Sequence, residues 1–143
     1  MITKAISNAF QRAQLKHWDR LYFAFDIHET MIEPNWQEGQ VPLDFYPHAM
    51  EVMQLITARK DIVSILFTCS HPHEIKEYLE FFKHNRIRID YVNENPEALN
   101  IKYGHYDKKP YFNVLFEDKA GFDPHEDWLR VKALLETFPL LCP

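Results

Sequence analysis

The chain has 143 residues, of which 46% are hydrophobic and 15% aromatic, so it can bury one core and is neither disordered nor of low complexity. Its net charge of -5 disfavours general binding to nucleic acids. Because no apolar run approaches the roughly 20 residues that cross a bilayer and no secretory leader opens the chain, we expect one domain over residues 1–143, without a membrane partner. The two cysteines, Cys69 and Cys142, are far apart, which favours the reducing cytoplasm.

The first half of the chain predicts two helices and two strands. The run at 21–25 is nearly all apolar and ends at Asp26, as is typical of a strand that is buried on both faces. Residues 31–46 contain Pro34, Gly39 and Pro42, which predict a loop or flap. The predicted elements are an amphipathic helix over 3–17, a strand over 21–25, a helix beginning at 47 and ending before 60, and a strand over 62–68.

The second half continues the alternation. Its predicted elements are a helix that Pro72 opens and His84 closes, a strand over 87–92, a loop over 93–108, a strand over 112–116 and a helix over 127–138. Strands that alternate with helices predict an α/β, Rossmann-like three-layer fold with a mostly parallel sheet and helices on both faces. We expect the strand order four, one, two, three.

Polar residues follow the predicted strands, and ligands bind beyond the carboxyl ends of such sheets. Asp26, Thr68 and Asp118 take these positions, while Lys108 and Lys109 precede the last strand. Carboxylates that lie close together repel one another unless a cation compensates, and a hard ion such as Mg²⁺ prefers oxygen ligands. The hydroxyl and a lysine would suit a phosphate group.

Four motifs in this order resemble those of the haloacid-dehalogenase-like (HAD) superfamily of phosphohydrolases, over residues 21–128. The first is Phe25-Asp26-Ile27-His28-Glu29-Thr30, in which Asp26 matches the nucleophile. The second is Ile65-Leu66-Phe67-Thr68, with Ser70 as an alternative to Thr68. The third is Lys109, with Lys108 as the alternative, and the fourth is Glu117-Asp118-Lys119-Ala120-Gly121-Phe122-Asp123.

The resemblance implies a Mg²⁺-dependent phosphatase that acts through an aspartyl-phosphate on a phosphorylated substrate. Thr68 or Ser70 and Lys109 or Lys108 would bind the phosphoryl group. The implied metal ligands are the side chains of Asp26 and Asp118, the backbone carbonyl of His28, and either Glu117 or Asp123. The resemblance also implies an open pocket without a large cap domain, because only short connections follow Thr30 and Asn93.

His28 departs from the family pattern, because it stands where the family has an acid/base aspartate. A nearby Mg²⁺ would favour neutral histidine, which suits a base better than an acid. We therefore expect any activity to favour good leaving groups such as acyl or aryl phosphates. The alternative is a HAD-like metal- and phosphate-binding or scaffold protein with little turnover.

Simpler interpretations remain open for several of these residues. Asp123 precedes Pro124, which favours a helix-capping role over metal binding. Trp36 on the flap could close over a ligand or pack on its own domain. The group Cys69, His71 and His73 offers zinc ligands, but its spacing matches no zinc pattern.

Overall fold

The alternation of strands and helices is confirmed by the computed structural model, which describes residues 1–98, 100–101, 104–106 and 108–141. The elements are α1 (Ile2–Lys16), β1 (Leu21–Phe25), α2 (Ala49–Ala58), β2 (Ile62–Leu66), α3 (Pro72–His84), β3 (Tyr91–Val92), β4 (Asn100–Ile101), β5 (Gly104–His105), β6 (Val114–Phe116) and α4 (Asp127–Leu135), with short 3-10 helices at Pro96–Ala98 and Asp118–Ala120.

The main sheet has four parallel strands in the order β3-β2-β1-β6, which is the predicted order. The two central strands, β1 and β2, run side by side over their whole length, from the pair Leu21 and Ile62 to the pair Phe25 and Leu66. Strand β6 pairs with β1 on its other side, so that Phe25 lies beside Phe116. The residues that follow β1 and β6 are therefore neighbours at the carboxyl edge of the sheet.

One face of the sheet carries the main hydrophobic core, to which all four α-helices contribute buried side chains. Phe23, Phe25 and Phe116 alternate onto this face and are fully buried. Phe10 of α1 meets Phe23 edge to face, and Trp128 of α4 stacks on Phe116 at 5.8 Å between ring centroids. These contacts fix both β1 and β6 against helices directly beneath the edge where the two strands end.

The 3-10 helix Pro96–Ala98 packs on the opposite face. Its Glu97 carboxylate accepts hydrogen bonds from Arg20 at 2.7 Å, from the Tyr22 hydroxyl at 3.3 Å and from the Tyr91 hydroxyl at 2.8 Å. Tyr22 and Tyr91 point to the same face, because they pair with Val63 and Ile65, two residues apart on β2. The protein is thus a Rossmann-like α/β domain of three layers.

The start of α3 shows why its boundaries could be predicted. Pro72 occupies the first turn, where its missing N–H costs no helical hydrogen bond. The Glu74 carboxylate accepts a hydrogen bond of 2.9 Å from the His71 N–H, while Lys83 and His84 lie in the last turn, near the negative end of the helix dipole. The predicted and observed ends of this helix agree.

Several predictions about the second half need correction. The strand predicted over 112–116 begins at Val114, and the helix predicted over 127–138 ends at Leu135. The strand predicted over 87–92 is limited to Tyr91–Val92, because Asp90 uses its carboxylate to accept the Ser64 N–H and so replaces a backbone partner. The loop predicted over 93–108 contains the 3-10 helix and the small antiparallel pair β4-β5. Within the described residues neither this segment nor the flap forms a cap domain, and no helix is long and apolar enough to cross a membrane. Cys142 lies outside the described residues.

Candidate active site

Three carboxylates meet where β1 and β6 end. Asp26 follows β1, and Glu117 and Asp118 follow β6. The Asp26 N–H donates a hydrogen bond of 2.9 Å to the Phe116 carbonyl, which continues the strand pairing one residue beyond the sheet. One carboxylate oxygen from each of the three residues lies within 4.8 Å of the others. All three side chains are half-buried, so their charges are only partly screened by water.

Crowding changes the acidity of this cluster. Burial, the hydrogen bond with Asp118 and the charge of Asp26 together raise the pKa of Glu117 from 4.5 to about 7. Burial also raises the pKa of Asp26. Burial would raise the pKa of Asp118 too, but its hydrogen bond with Glu117 and the positive charge of Lys119 outweigh that effect and lower it. Near neutral pH, therefore, Glu117 carries a proton in part of the molecules, and this proton reduces the repulsion among the three carboxylates.

This donor set fits a divalent cation. Mg²⁺ binds oxygen ligands and is commonly held by one or two carboxylates together with water and substrate phosphate. A cation placed among Asp26, Glu117 and Asp118 would displace the shared proton and relieve the repulsion. The geometry offers this compensation without identifying which hard cation provides it.

The cluster is anchored by a buried threonine. The Thr30 hydroxyl accepts a hydrogen bond of 3.2 Å from the Asp118 N–H, and its carbonyl accepts one of 3.0 Å from Trp128 Nε1. Glu117 accepts the Lys119 N–H at 3.3 Å, and Gly121 ends the 3-10 helix with a φ of 98°, which suits glycine. The loop after β1 and the loop after β6 are therefore fixed to one another.

A cleft of about 580 Å³ opens beside the cluster. The flap forms one wall and includes Trp36, whose indole is 81% exposed and does not pack into the domain core. The lining residues are Asp26, His28, Glu29, Pro34, Asn35, Trp36, Gln37, Glu38, Gln40, Pro42, Cys69, Glu74, Asp118 and Lys119. Carboxylates dominate the charge of this cleft.

His28 lines the cleft, and the buried residue Tyr78 contacts its ring. Its Nε2 lies 2.7 Å from the hydroxyl of Tyr78, a residue of α3 that is fully buried. Burial, together with the nearby charges of Glu74 and Glu77, raises the pKa of the Tyr78 phenol, so its hydroxyl keeps its proton. The ring of His28 meets the Tyr78 ring edge to face, with centroids 5.6 Å apart.

The two predicted hydroxyl ligands lie next to the cleft without lining it. Thr68 Oγ1 is 2.9 Å from Ser70 Oγ and accepts the Ser70 N–H at 3.1 Å, so the two hydroxyls form one local turn. Asn93 fixes this turn, because its side chain accepts the Thr68 N–H and donates to the Thr68 carbonyl. Among the residues of this turn, Cys69 is the one that reaches the cleft.

The two predicted lysines lie elsewhere. Lys108 and Lys109 are exposed in the bend before β6, and neither lines the cleft. Because parallel strands begin at the opposite edge from where they end, residues shortly before β6 are carried away from the carboxyl edge. Lys119, which follows β6, is the lysine of the described cleft. The same strand-end rule that identified Asp118 also applies to Lys119.

Asp123 lies in the turn before α4, whose N-cap is Glu126, and does not line the cleft. Its carboxylate accepts the His125 N–H at 2.9 Å, and its own N–H donates to the Asp127 carboxylate at 2.8 Å. Both bonds organise the turn that leads into α4. Of the two alternatives for the second acidic ligand, Glu117 is the one in the carboxylate cluster.

The cysteine and histidines do not assemble a zinc site. Among the described residues, the three-ligand group at metal-binding distance is the carboxylate cluster, and Cys69, His71 and His73 do not form another. The rings of His71 and His73 stack at 5.8 Å on the first turn of α3. Glu74, in the same turn, was not predicted as part of the cleft, although a helix that follows a strand begins at this edge.

Comparison with known proteins shows the fold but not the family. No protein-family model matches the chain, and neither does any curated protein. The structure is similar to that of a conserved protein from Bacteroides thetaiotaomicron, with a TM-score of 0.62 and 17% sequence identity over 84% of this chain and 93% of that chain. At this identity the likeness supports the three-layer fold alone.

Proposed function

We propose that the protein is a HAD-like, Mg²⁺-dependent phosphatase in which Asp26 is the nucleophile. The observation that carries the proposal is the carboxylate cluster, in which Asp26 lies within 4.8 Å of Glu117 and Asp118 beside an open cleft. The pKa of Glu117, raised to about 7, indicates that the cluster repels further negative charge. A cation would compensate this charge when an anionic phosphate enters. Perturbed carboxylates in a cleft are a recognised sign of a functional site.

In the proposed reaction, an Asp26 oxygen forms a bond to phosphorus while the bond between phosphorus and the leaving oxygen breaks. Water then attacks the same phosphorus, which releases phosphate and restores the carboxylate. Bound Mg²⁺ would supply charge compensation for the phosphoryl oxygens. In this proposal Lys119, which lines the cleft, binds those oxygens, and Thr68 would do so only if the turn it forms with Ser70 rearranged.

The charge of the cleft restricts the substrate. Glu29, Glu38 and Glu74 border it beyond the cluster, and Lys119 is the one lysine or arginine among its described lining residues. A leaving group with further negative charges would be repelled. We therefore propose that the substrate is a phosphomonoester with a neutral or cationic leaving group. We further propose that the protein acts in the cytoplasm and has no nucleic-acid partner.

The alternative function is a metal- and phosphate-binding protein with little turnover. It is favoured by His28, because Tyr78 already occupies one nitrogen of the ring that replaces the acid/base aspartate. A His28→Asp variant separates the two functions. A large gain of activity supports an impaired enzyme, whereas no gain supports a binding role.

The proposal is tested by measuring hydrolysis of a panel of alkyl, aryl and acyl phosphates with and without Mg²⁺. Asp26→Asn is the active-site control, and Asp19→Asn, at an exposed position before β1, is the matched surface control. Activity that requires Mg²⁺ and Asp26 but not Asp19 supports a phosphatase. If none of these phosphates is hydrolysed but Mg²⁺ binds, the result supports the alternative.

A further inference from the structure

The hydroxyl of Tyr78 is confined. Its side chain is fully buried between α3 and the main core, stacked on Phe82 at 6.1 Å between ring centroids. Among the described residues, the hydrogen-bond partner shown for the hydroxyl is Nε2 of His28, at 2.7 Å. No part of the residue is exposed to solvent, so bulk water does not offer it a second acceptor.

The direction of this hydrogen bond follows from counting protons. A phenol has one hydrogen to donate, and a buried hydroxyl that donates to nothing carries a free-energy penalty. If His28 Nε2 carried the proton, the nitrogen would donate to Tyr78 and the hydroxyl hydrogen would lack an acceptor. If Nε2 is unprotonated, the hydroxyl donates to it and both groups are satisfied. The second arrangement is therefore favoured.

We infer that Tyr78 is a positioning residue that holds His28 in the Nδ1–H tautomer. His28 then presents a hydrogen-bond donor, and neither of its nitrogens can accept a proton from water. Nδ1 already carries a hydrogen, and Nε2 is occupied by the Tyr78 hydroxyl. This inference rests on the proposed function only for its kinetic consequence, since the tautomer is a property of the protein alone.

The consequence differs between the two steps. In the first step, the leaving oxygen departs with the electron pair of its bond to phosphorus, is stabilised by the Nδ1–H of His28 and takes its proton from solvent. In the second step, the attacking water must lose a proton, and His28 in this tautomer has no free nitrogen to accept it, because Nδ1 carries a hydrogen and Nε2 is bonded to the Tyr78 hydroxyl. We therefore expect the aspartyl-phosphate on Asp26 to form faster than it is hydrolysed and to accumulate.

The tautomer is measured by long-range ¹H–¹⁵N correlation spectra at pH 9, where histidine is neutral. The His28 signals are assigned by their absence in a His28→Asn variant. We expect the Nδ1–H pattern in the unchanged protein and a shift towards Nε2–H in Tyr78→Phe, which keeps the ring packing. Tyr91→Phe removes a hydroxyl that binds Glu97, on the other face of the sheet, and should change nothing at His28.

The kinetic consequence is measured with p-nitrophenyl phosphate and Mg²⁺ under pre-steady-state conditions. We expect a burst of about one nitrophenol per protein, followed by a slower steady rate. In Tyr78→Phe the Nδ1 nitrogen becomes available as a base in part of the population, so the slow phase should accelerate by about tenfold or more while the burst rate stays similar. Tyr91→Phe should keep the unchanged kinetics.

The outcomes separate the two proposals. An Nε2–H pattern in the unchanged protein would overturn the inference about Tyr78, whatever the activity. An Nδ1–H pattern with steady nitrophenol release but no burst would leave the tautomer established and overturn its kinetic consequence. An Nδ1–H pattern with no nitrophenol release at all would leave the tautomer established and count against the phosphatase. A uniform loss of both phases in Tyr78→Phe, without a change of tautomer, would show that the Tyr78 hydroxyl does not set the tautomer of His28 and would also overturn the inference.

Discussion

Two acidic sites on this sheet differ in how the protein compensates their negative charge. Glu97 lies over one face and is surrounded by donors from Arg20, Tyr22 and Tyr91. Burial would raise the pKa of Glu97, but these hydrogen bonds and the charge of Arg20 outweigh it and lower the pKa. The charge of Glu97 is thus compensated within the protein, which is typical of a structural site.

The carboxylate cluster at the edge of the sheet lacks such compensation. Its carboxylates face one another, and the pKa of Glu117 rises to about 7. Charge that the protein leaves uncompensated is available for a ligand, whereas charge that it compensates serves the fold. The groups that surround a carboxylate therefore indicate its role better than the occurrence of an acidic residue in the sequence does.

The largest expected effect is at Asp26, the proposed nucleophile. Asp26→Asn should reduce phosphatase activity by about a thousandfold or more, because the amide cannot form the aspartyl-phosphate. It should also raise the thermal midpoint at pH 8, because one repelling charge is removed. Activity assays and thermal denaturation measure the two effects. A variant that stays active would show that Asp26 is not the nucleophile.

Magnesium should stabilise the folded protein. At a free concentration of about 100 times its dissociation constant, a ligand that binds only the folded state adds about 2.7 kcal/mol to the free energy of unfolding. The stabilisation should be larger at pH 8 than at pH 5, because protons compete for Glu117. EDTA should reverse it, and Glu97→Gln should leave it intact. Equal stabilisation of Asp26→Asn would place the ion elsewhere.

Lysine substitutions sharpen the description of the cleft. Lys119→Ala should lower kcat/KM by about tenfold, as expected for the loss of one charged contact to phosphate. Lys108→Ala and Lys109→Ala should have little effect, since neither residue lines the cleft. The reverse result would restore Lys109 to the role that the sequence motif predicts and would require its segment to move.

The smallest effect is expected at Glu97. Glu97→Gln should lower the free energy of unfolding by about 1 kcal/mol in urea denaturation, because partly exposed charged hydrogen bonds contribute modestly. Phosphatase activity should not change. A loss of activity without a loss of stability would show that Glu97 has a functional role and would refute the assignment of Glu97 to a structural site.

The two sites should also respond to pH with opposite signs. The folded pKa of Glu117 is raised from 4.5 to about 7, so its contribution to stability is lost as the pH rises between these values. The folded pKa of Glu97 is lowered, so its contribution is present above 4.5 and is lost as the pH falls below that. Unfolding free energies of Glu117→Gln and Glu97→Gln across pH 3 to 8 would separate the two slopes.

Much of the fold could be predicted because the central strands are almost entirely apolar and the helices carry clear start and stop signals. The proximity of Asp26 and Asp118 could also be predicted, since both follow strands of one parallel sheet. The sequence could not show that Lys119, rather than Lys109, lines the cleft. A motif gives the order of residues along the chain and not the edge of the sheet at which they lie. The sequence also did not predict the hydrogen bonds that Glu97 accepts from Arg20 and Tyr22, which lie 77 and 75 positions away along the chain.

The pairing of β1 with β6 has a consequence for how the protein folds. Tyr22 and Asn113 are hydrogen-bonded across this pair although they are 91 positions apart. Contacts between such distant residues require a large loop to close, and they slow the search for the native state. The carboxylate cluster exists only after this closure, because Asp26 comes from one strand and Asp118 from the other. Metal binding would thus report on the completion of folding, and no short fragment of the chain should retain it.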